Sequence, residues 1–121
     1  VEPGTVMVLG PDGALVPSRE PYDTRVAGVV SGAGSFAPAL VLDRRDTGRR
    51  RAPVALMGKV YCWVDADEAS IEVGDLLTTG ERPGHAMRVS DRGRAFGALV
   101  GKALAPLRSA QGLIPVLVGQ R

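Results

Sequence analysis

The sequence has few aromatic residues, a single cysteine and no long apolar run. Only 4% of its 121 residues are Phe, Trp or Tyr. No stretch of about 18 apolar residues occurs, so the composition excludes a membrane-spanning helix. Cys62 has no second cysteine with which to form a disulfide inside the chain. The fold must therefore stand without a disulfide.

Glycine and proline, in contrast, are abundant. The chain has 16 Gly and 9 Pro, which interrupt helices too often for a helical bundle or a coiled coil. A hydrophobic content of 45% and a mean hydropathy of +0.07 also argue against disorder. The length suits one domain. We therefore expect a single compact all-β domain with many tight turns.

The charge balance excludes an electrostatic nucleic-acid binder. Fifteen basic and 13 acidic residues leave a net charge of +2, which is too small for that role. The basic set contains 13 Arg and 2 Lys, a bias more typical of a GC-rich genome than of a function. The sequence thus predicts neither a nucleic-acid partner nor a membrane partner.

Short apolar runs separated by turn signals indicate nine to ten strands. Thr5–Leu9 and Ala14–Pro17, for example, flank the turn sequence Gly10-Pro-Asp-Gly13 and predict a hairpin. Another predicted strand, Ala37–Asp43, precedes a charged loop. Strands of four to seven residues at this spacing are typical of a small barrel or a sandwich.

An internal sequence repeat divides the predicted domain into two halves. The matched pairs are Val1–Gly10 with Ile71–Gly80, Ala14–Ser18 with Ala86–Ser90, Gly28 with Gly101, and Pro53–Gly58 with Pro115–Gly119. Four matches in one order favour a single domain over 1–121 with pseudo-equivalent halves at about 1–58 and 71–119. Residues 59–70 would connect them. The alternative is that glycine-rich hairpins resemble one another.

Five residues are predicted to shape turns and close strand contacts: Gly4, Gly28, Gly74, Asp75 and Gly101. The glycines fall at matched positions of the two halves. The Asp75 carboxylate follows a glycine, where it can accept hydrogen bonds from the amides of its own turn.

Two groups of residues are candidate interaction surfaces. Tyr61 and Trp63 alternate with Cys62 and share one face of a strand, either as core residues or as interface anchors. Five arginines crowd one loop, at Arg44, Arg45, Arg49, Arg50 and Arg51. That loop is either a solvated hairpin tip or a surface for phosphates or an acidic partner.

No catalytic residue, metal-ligand set or cofactor site is predicted. His85 is the only histidine, and it lies in the turn Arg82-Pro-Gly-His85 without a second Cys or His ligand nearby. A hydrogen bond that stabilises the turn is the expected role of its ring. The chain also lacks the pattern of a nucleophile elbow.

The order of motifs resembles a known class of viral domains. The motifs are Tyr22-Asp-Thr-Arg-Val-Ala-Gly-Val-Val-Ser31, Pro53-Val-Ala-Leu-Met-Gly-Lys-Val60, Ile71-Glu-Val-Gly-Asp-Leu-Leu-Thr-Thr79, Pro83-Gly-His-Ala-Met87 and Val100-Gly-Lys-Ala-Leu104. Together they resemble the C-terminal β-domains of phage tail-fibre and neck-appendage proteins, similar to the peptidase G2-type intramolecular chaperone family. The resemblance implies a position at the end of trimeric fibres and a role in their assembly. Some members cleave themselves, but no residue here matches a self-cleavage motif.

A second, weaker likeness is to small β-barrel head-decoration proteins of phages. Both likenesses imply a homo-oligomer, with a trimer favoured. We therefore expect a non-enzymatic structural module of a phage or phage-like fibre or appendage, assembled in the bacterial cytoplasm, that contacts itself and upstream fibre segments. The alternatives are a self-cleaving intramolecular chaperone peptidase domain and a capsid-decoration-like or anionic-ligand-binding β-barrel.

Overall fold

The computed structural model describes residues 1–32, 54–55 and 58–119, with only the backbone described at 54–55. Within these residues the protein is all-β, as predicted. Its elements are β1 (Val6–Leu9), β2 (Leu15–Pro17), β3 (Val26–Val30), β4 (Val54–Ala55), β5 (Gly58–Asp65), β6 (Leu76–Thr79), β7 (Ala86–Arg88), α1 (Arg92–Ala95), β8 (Leu99–Ala103) and β9 (Gln111–Val118). The described strands number eight of at least three residues and one of two, fewer than the nine to ten full strands expected. The predicted strand at 37–43 lies outside the described residues.

The first sheet has the strand order β2-β1-β3-β4, and all of its neighbours are antiparallel. The turn after Leu9 forms as the Pro-Asp-Gly sequence predicts. Gly10 accepts from the Gly13 amide (3.0 Å), and the Asp12 side chain accepts from the Ala14 amide (3.0 Å). Pro17 lies in the edge strand β2, where the missing N–H limits pairing with a further strand.

The second sheet has the strand order β5-β7-β6-β8-β9. β5 pairs with β9 along its whole length, from Gly58 opposite Val118 to Asp65 opposite Gln111. β5 also meets β7 in parallel orientation, through the single pair Val64 and Ala86. Followed from strand to strand, the pairings that start at β5 therefore end at β5, and a single residue pair makes the last step.

Residues 59–70, expected to connect the two halves, contain most of β5. This strand forms because its side chains alternate between a buried and a half-buried face. Val60, Cys62 and Val64 are fully or almost fully buried, whereas Tyr61 and Trp63 on the opposite face are half-buried. The segment is thus a structural member of the second sheet.

One hydrophobic core joins the two sheets. Val6 and Val29 of the first sheet belong to the same buried cluster as Val60, Ile71 and Leu77. The cluster consists of aliphatic side chains, alanines and Cys62, which matches the low aromatic content of the sequence. The sheets therefore bury their inner faces against a common interior.

Two sets of four strands have the same arrangement. We call β1–β4 the first unit and β6–β9 the second unit. Each begins with an antiparallel hairpin, and its first strand then pairs with the third, which pairs with the fourth. The register breaks at matched places, next to Met7 opposite Gly28 and next to Leu77 opposite Gly101.

The chain enters the two units through matching turns. The amide of Gly4 donates to the Val30 carbonyl at 2.8 Å, and the amide of Gly74 donates to the Ala103 carbonyl at 2.8 Å. Gly4 and Gly74 also have the same backbone conformation, with φ of 93° and 94°. Backbone geometry thus corresponds at the positions that are paired in the sequence.

A short helix, α1, interrupts the second unit between β7 and β8. Its N-cap is Asp91, whose side chain accepts a hydrogen bond from the Arg94 amide at 3.2 Å. Sequence analysis did not predict this helix. Among the described residues, no helix has the length and apolar character needed to cross a membrane.

Two glycine substitutions should separate close packing from backbone strain. A Cβ at Gly101 would overlap the Leu117 carbonyl oxygen and lie 2.9 Å from Val116 Cγ1, whereas a Cβ at Gly74 would meet nothing within 4 Å. We expect Gly101→Ala to lower the free energy of unfolding by about 3 kcal/mol or more. Gly74→Ala should cost about 1–2 kcal/mol, for its positive φ alone. Urea unfolding of both variants measures the difference, and equal losses would contradict this explanation.

Candidate functional site

The predicted turn residues lie where strands begin or break register. Gly28 and Gly101 lie opposite the register breaks, and Gly4 and Gly74 lie in the entry turns. The Asp75 side chain accepts a hydrogen bond from the Glu72 amide at 2.8 Å, which is a bond inside its own turn. These residues shape the backbone.

Trp63 lies where β5 meets the entry turn of the first unit. Its amide donates to the Gly4 carbonyl at 2.9 Å, and a Cβ on Gly4 would come within 3.1 Å of the indole ring. The indole Nε1 is buried without a hydrogen-bond partner among the described residues. Trp63 therefore packs against the chain itself, while Tyr61 lies farther along the same face, opposite Pro115.

The remaining candidates from the sequence are His85 and the five arginines. His85 packs its ring beside Trp63, with the ring centroids 5.5 Å apart, and its Nδ1 donates to the Pro83 carbonyl at 2.8 Å. That bond spans the turn. Arg44, Arg45, Arg49, Arg50 and Arg51 lie outside the described residues.

The two units are hydrogen-bonded to each other at several places, and one of them is Thr79, the last residue of β6. Its hydroxyl donates to the Glu20 carbonyl at 2.7 Å and accepts from the Asp23 amide at 2.8 Å. The Thr79 carbonyl also accepts from the Tyr22 amide at 3.2 Å. The loop between β2 and β3 thus covers a threonine that has no exposed surface. We call this contact the Thr79 junction.

Tyr22 extends the junction to the loop that carries α1. Its hydroxyl accepts hydrogen bonds from the amides of Ser90 and Asp91, each at 2.9 Å. The Arg94 guanidinium lies 4.4 Å from the centre of the Tyr22 ring, a cation–π contact. The start of α1 is therefore held in place from the first unit.

A carboxylate and a guanidinium stabilise the loop between β2 and β3. Asp23 accepts from the Arg25 amide (2.8 Å), from Arg25 Nε (3.0 Å) and from Arg25 Nη2 (3.0 Å). Hydrogen bonding from the Arg25 side chain lowers the pKa of Asp23, although burial of the carboxylate opposes the change. Asp23 is therefore charged at neutral pH and stabilises the folded loop.

A second polar network closes the far end of the β5–β9 ladder. Burial alone would raise the pKa of Asp65, but hydrogen bonds from Gln111 and from the Asp67 amide, with the charge of Arg82, lower it. Gln111 donates to Asp65 at 2.9 Å and to Asp67 at 2.8 Å. These carboxylates are engaged in holding strand ends together.

Phe96 stands out on the surface. It follows α1 directly and is 89% exposed, although the loop that carries it is fastened by Tyr22. The other large apolar residues on the described surface are Val1, Leu9, Val16, Val73 and Leu113. An exposed ring on a held loop offers apolar area without a large loss of conformational freedom on binding.

The side chains of this region bond mainly to backbone groups and to one another. In the described part of the chain, no three His, Cys, Asp or Glu side chains are grouped to hold a metal ion. Comparison with family models, with curated proteins and with solved structures finds no match to this chain.

Sequence analysis missed the three residues that define this region. The sequence shows Tyr22 and Thr79 only as members of longer motifs, because their partners are distant in the chain. The partners of the Tyr22 hydroxyl are 68 and 69 positions away, and those of the Thr79 hydroxyl are 56 and 59 positions away. Phe96 carried a usable signal, since it is one of five aromatic residues and is followed by Gly97 in a polar stretch.

Replacing Asp23 should reduce stability in a pH-dependent way. Asp23→Asn removes the charged acceptor of a buried network, and we expect a loss of about 1–3 kcal/mol in the free energy of unfolding at pH 7. Because the folded protein lowers the pKa of Asp23, its stabilisation is present above the unfolded pKa near 4 and is lost as the pH falls through the folded pKa. Urea unfolding from pH 7 to pH 2 should show the two proteins converging at low pH. A constant difference would contradict the assignment.

The Cys62 thiol should be inert in the folded protein. Cys62 is fully buried, and burial raises the pKa of its thiol to about 12. We expect a thiol reagent at pH 8 to label the native protein at least about 100-fold more slowly than the protein in guanidinium chloride. Equal rates in the two conditions would show that the strand opens readily.

Proposed function

We propose that this protein is a non-enzymatic structural module of a phage or phage-like tail fibre or appendage, and that it promotes homo-oligomer assembly or caps the fibre. The partners are further copies of the chain, with a trimer favoured, and the upstream segments of the fibre. The motif order described above supports this assignment. The return of the strand pairings in the second sheet to β5 supports a small barrel as part of the module.

The observation that carries the proposal is the exposed ring of Phe96. Phe96 does not belong to the buried hydrophobic cluster that the described residues form. Burying a Phe side chain contributes roughly 1.5–3 kcal/mol, which the isolated chain leaves unused. Rigid aromatic residues surrounded by polar groups are typical centres of protein–protein contacts.

The polar chemistry of the same region favours assembly over catalysis. Thr79, Tyr22 and Asp23 each use their side chains to hold backbone groups of the other unit or of their own loop. Arg94 is held against the Tyr22 ring. These contacts fix the position of the α1 loop, and a fixed loop is what a repeated contact between identical chains requires.

A charge at Phe96 should abolish self-association. The wild-type chain is expected to have a mass in solution that is a multiple of 12.6 kDa, and Phe96→Asp should be a monomer of 12.6 kDa. The substitution places a charge at the centre of the contact, where an apolar ring is otherwise buried. Size-exclusion chromatography with light scattering at 10–200 micromolar, on the order of typical weak-interface affinities, measures both proteins.

Val73→Asp is the matched control. Val73 is also apolar and exposed, at 62%, but it lies in the entry turn of the second unit. The control should keep the mass of the wild-type protein, and both variants should keep its far-ultraviolet circular dichroism. A wild-type chain that remains a monomer throughout would overturn the proposed function.

A further inference from the structure

We propose that Asp65 and Arg82 form an acid-sensitive latch, which holds β5 against the turn between β6 and β7 when Asp65 is charged and releases it when Asp65 is protonated. The turn comprises residues 80–85. Opening of the latch separates one pair of strands while the other strand pairs of the domain stay together. The latch involves contacts within a single chain, so it stands independently of the proposed function.

The strand contact that the latch holds is the narrowest in the second sheet. β5 pairs with β9 through eight residue pairs, whereas it meets β7 through Val64 and Ala86 alone. The other neighbours in this sheet are joined by three residue pairs each. A contact with one residue pair has the fewest backbone bonds to lose, so it is the first place at which the sheet can open.

Three consecutive residues of β5 meet the β6–β7 hairpin. The pairs are Trp63 with His85, whose ring centroids are 5.5 Å apart, Val64 with Ala86, and Asp65 with Arg82. We call these three pairs the β5–β7 closure. Of the three, the pair of Asp65 and Arg82 is the one that joins opposite charges, with 3.5 Å between Asp65 Oδ2 and Arg82 Nε.

The Asp65 carboxylate is surrounded by hydrogen-bond donors. Its Oδ1 accepts from the Asp67 amide at 3.0 Å and from Gln111 Nε2 at 2.9 Å, and its Oδ2 faces the Arg82 guanidinium. Because Oδ1 already accepts two N–H groups, an added proton goes to Oδ2. A guanidinium has no acceptor for that proton. Protonation therefore removes the attraction to Arg82 and leaves two donors facing each other.

The charge state of Asp65 follows from the same contacts. Burial raises the pKa of Asp65, but the bonds from Gln111 and the Asp67 amide and the charge of Arg82 together lower it. The nearby Asp67 carboxylate accepts from Gln111 and from the Ala110 amide, and His85 Nδ1 donates to the Pro83 carbonyl. Asp65 is thus the acid whose charge reaches across the β5–β7 closure.

The turn has an anchor on its other side, so opening has a defined direction. The Gly84 amide donates to the Ser18 carbonyl at 2.8 Å, and the Val6 amide donates to the Gly84 carbonyl at 2.9 Å. A Cβ on Gly84 would lie 2.8 Å from Thr5 Cγ2, which shows how closely the turn approaches the first unit. When the latch opens, the turn stays with the first unit and the end of β5 leaves it.

Hydrogen exchange at Ala86 measures the opening. Gly80 donates to the His85 carbonyl, so the backbone groups of His85 face β6 and those of Ala86, the next residue, face β5. Asp65→Asn puts a neutral group with a donor in place of the carboxylate and should mimic protonation at pH 7. We expect the Ala86 amide to exchange at least about tenfold faster in this variant, the factor for a lost bond to a charged group.

Asp67→Asn is the matched control. It removes a charge from the same network, but the Asp67 side chain bonds to Gln111 and Ala110, on the β9 side of β5. Exchange at Ala86 should stay within about twofold of the wild-type rate in this control. Exchange of the β9 amides should also stay within about twofold in both variants.

Arg82→Gln tests the latch from its other side. The Arg82 side chain is half-exposed, so its loss leaves the core and the two bonds to Asp65 Oδ1 in place. Ala86 should exchange about threefold faster at pH 7, as expected for a partly exposed ion pair. In the wild-type protein the latch is closed above the unfolded pKa near 4 and opens as the pH falls through the folded pKa of Asp65.

The pH series gives the decisive comparison. Between pH 7 and pH 2, after correction for the chemical rate, Ala86 exchange should rise in the wild-type protein and stay level in Arg82→Gln. An equal rise in both proteins would overturn the latch. It would also be overturned if Asp65→Asn left the Ala86 rate unchanged, or if it raised the rates in β9 by the same factor as at Ala86.

Discussion

One buried hydroxyl fixes the loop between β2 and β3 against the end of β6. The side chain of Thr79 donates one hydrogen bond and accepts another across the seam, and it has no access to water that could replace them. The aliphatic core tolerates small displacements because dispersion contacts have little direction. The hydrogen bonds of Thr79 tolerate less displacement because they are directional. They therefore set the position of the β2–β3 loop and, through Tyr22, that of the α1 loop.

The two units show how a chain with few aromatic residues builds a stable domain. Small side chains let strands approach closely, as at Gly101, where the Leu117 carbonyl occupies the space of a Cβ. The same register break occurs in both units beside a glycine, which bends each sheet in the same way. Equivalent backbones then carry different side chains, as at the ends of β1 and β6, where Leu9 is exposed and Thr79 is buried.

Much of the fold was predictable because its signals are local. The hairpin after Leu9 and the all-β class follow from turn chemistry and from the alternation of side chains. The full length of β9 was not predicted, since Gln111 and Gly112 lack apolar character and pair only because β5 lies opposite. The α1 helix was missed because four residues capped by Asp91 give no periodic signal. Tyr22 could not be assigned a role, since its partners are 68 and 69 positions away. The viral assignment and the trimer stay predictions.

The burial of Cys62 has a consequence for where the domain can work. A thiol that is enclosed in the core and kept protonated has neither the access nor the charge needed for disulfide exchange. The folded chain therefore carries no group that responds to the redox potential of its surroundings through cysteine. The thiol of the folded domain therefore stays in the same state in a reducing and in an oxidising medium.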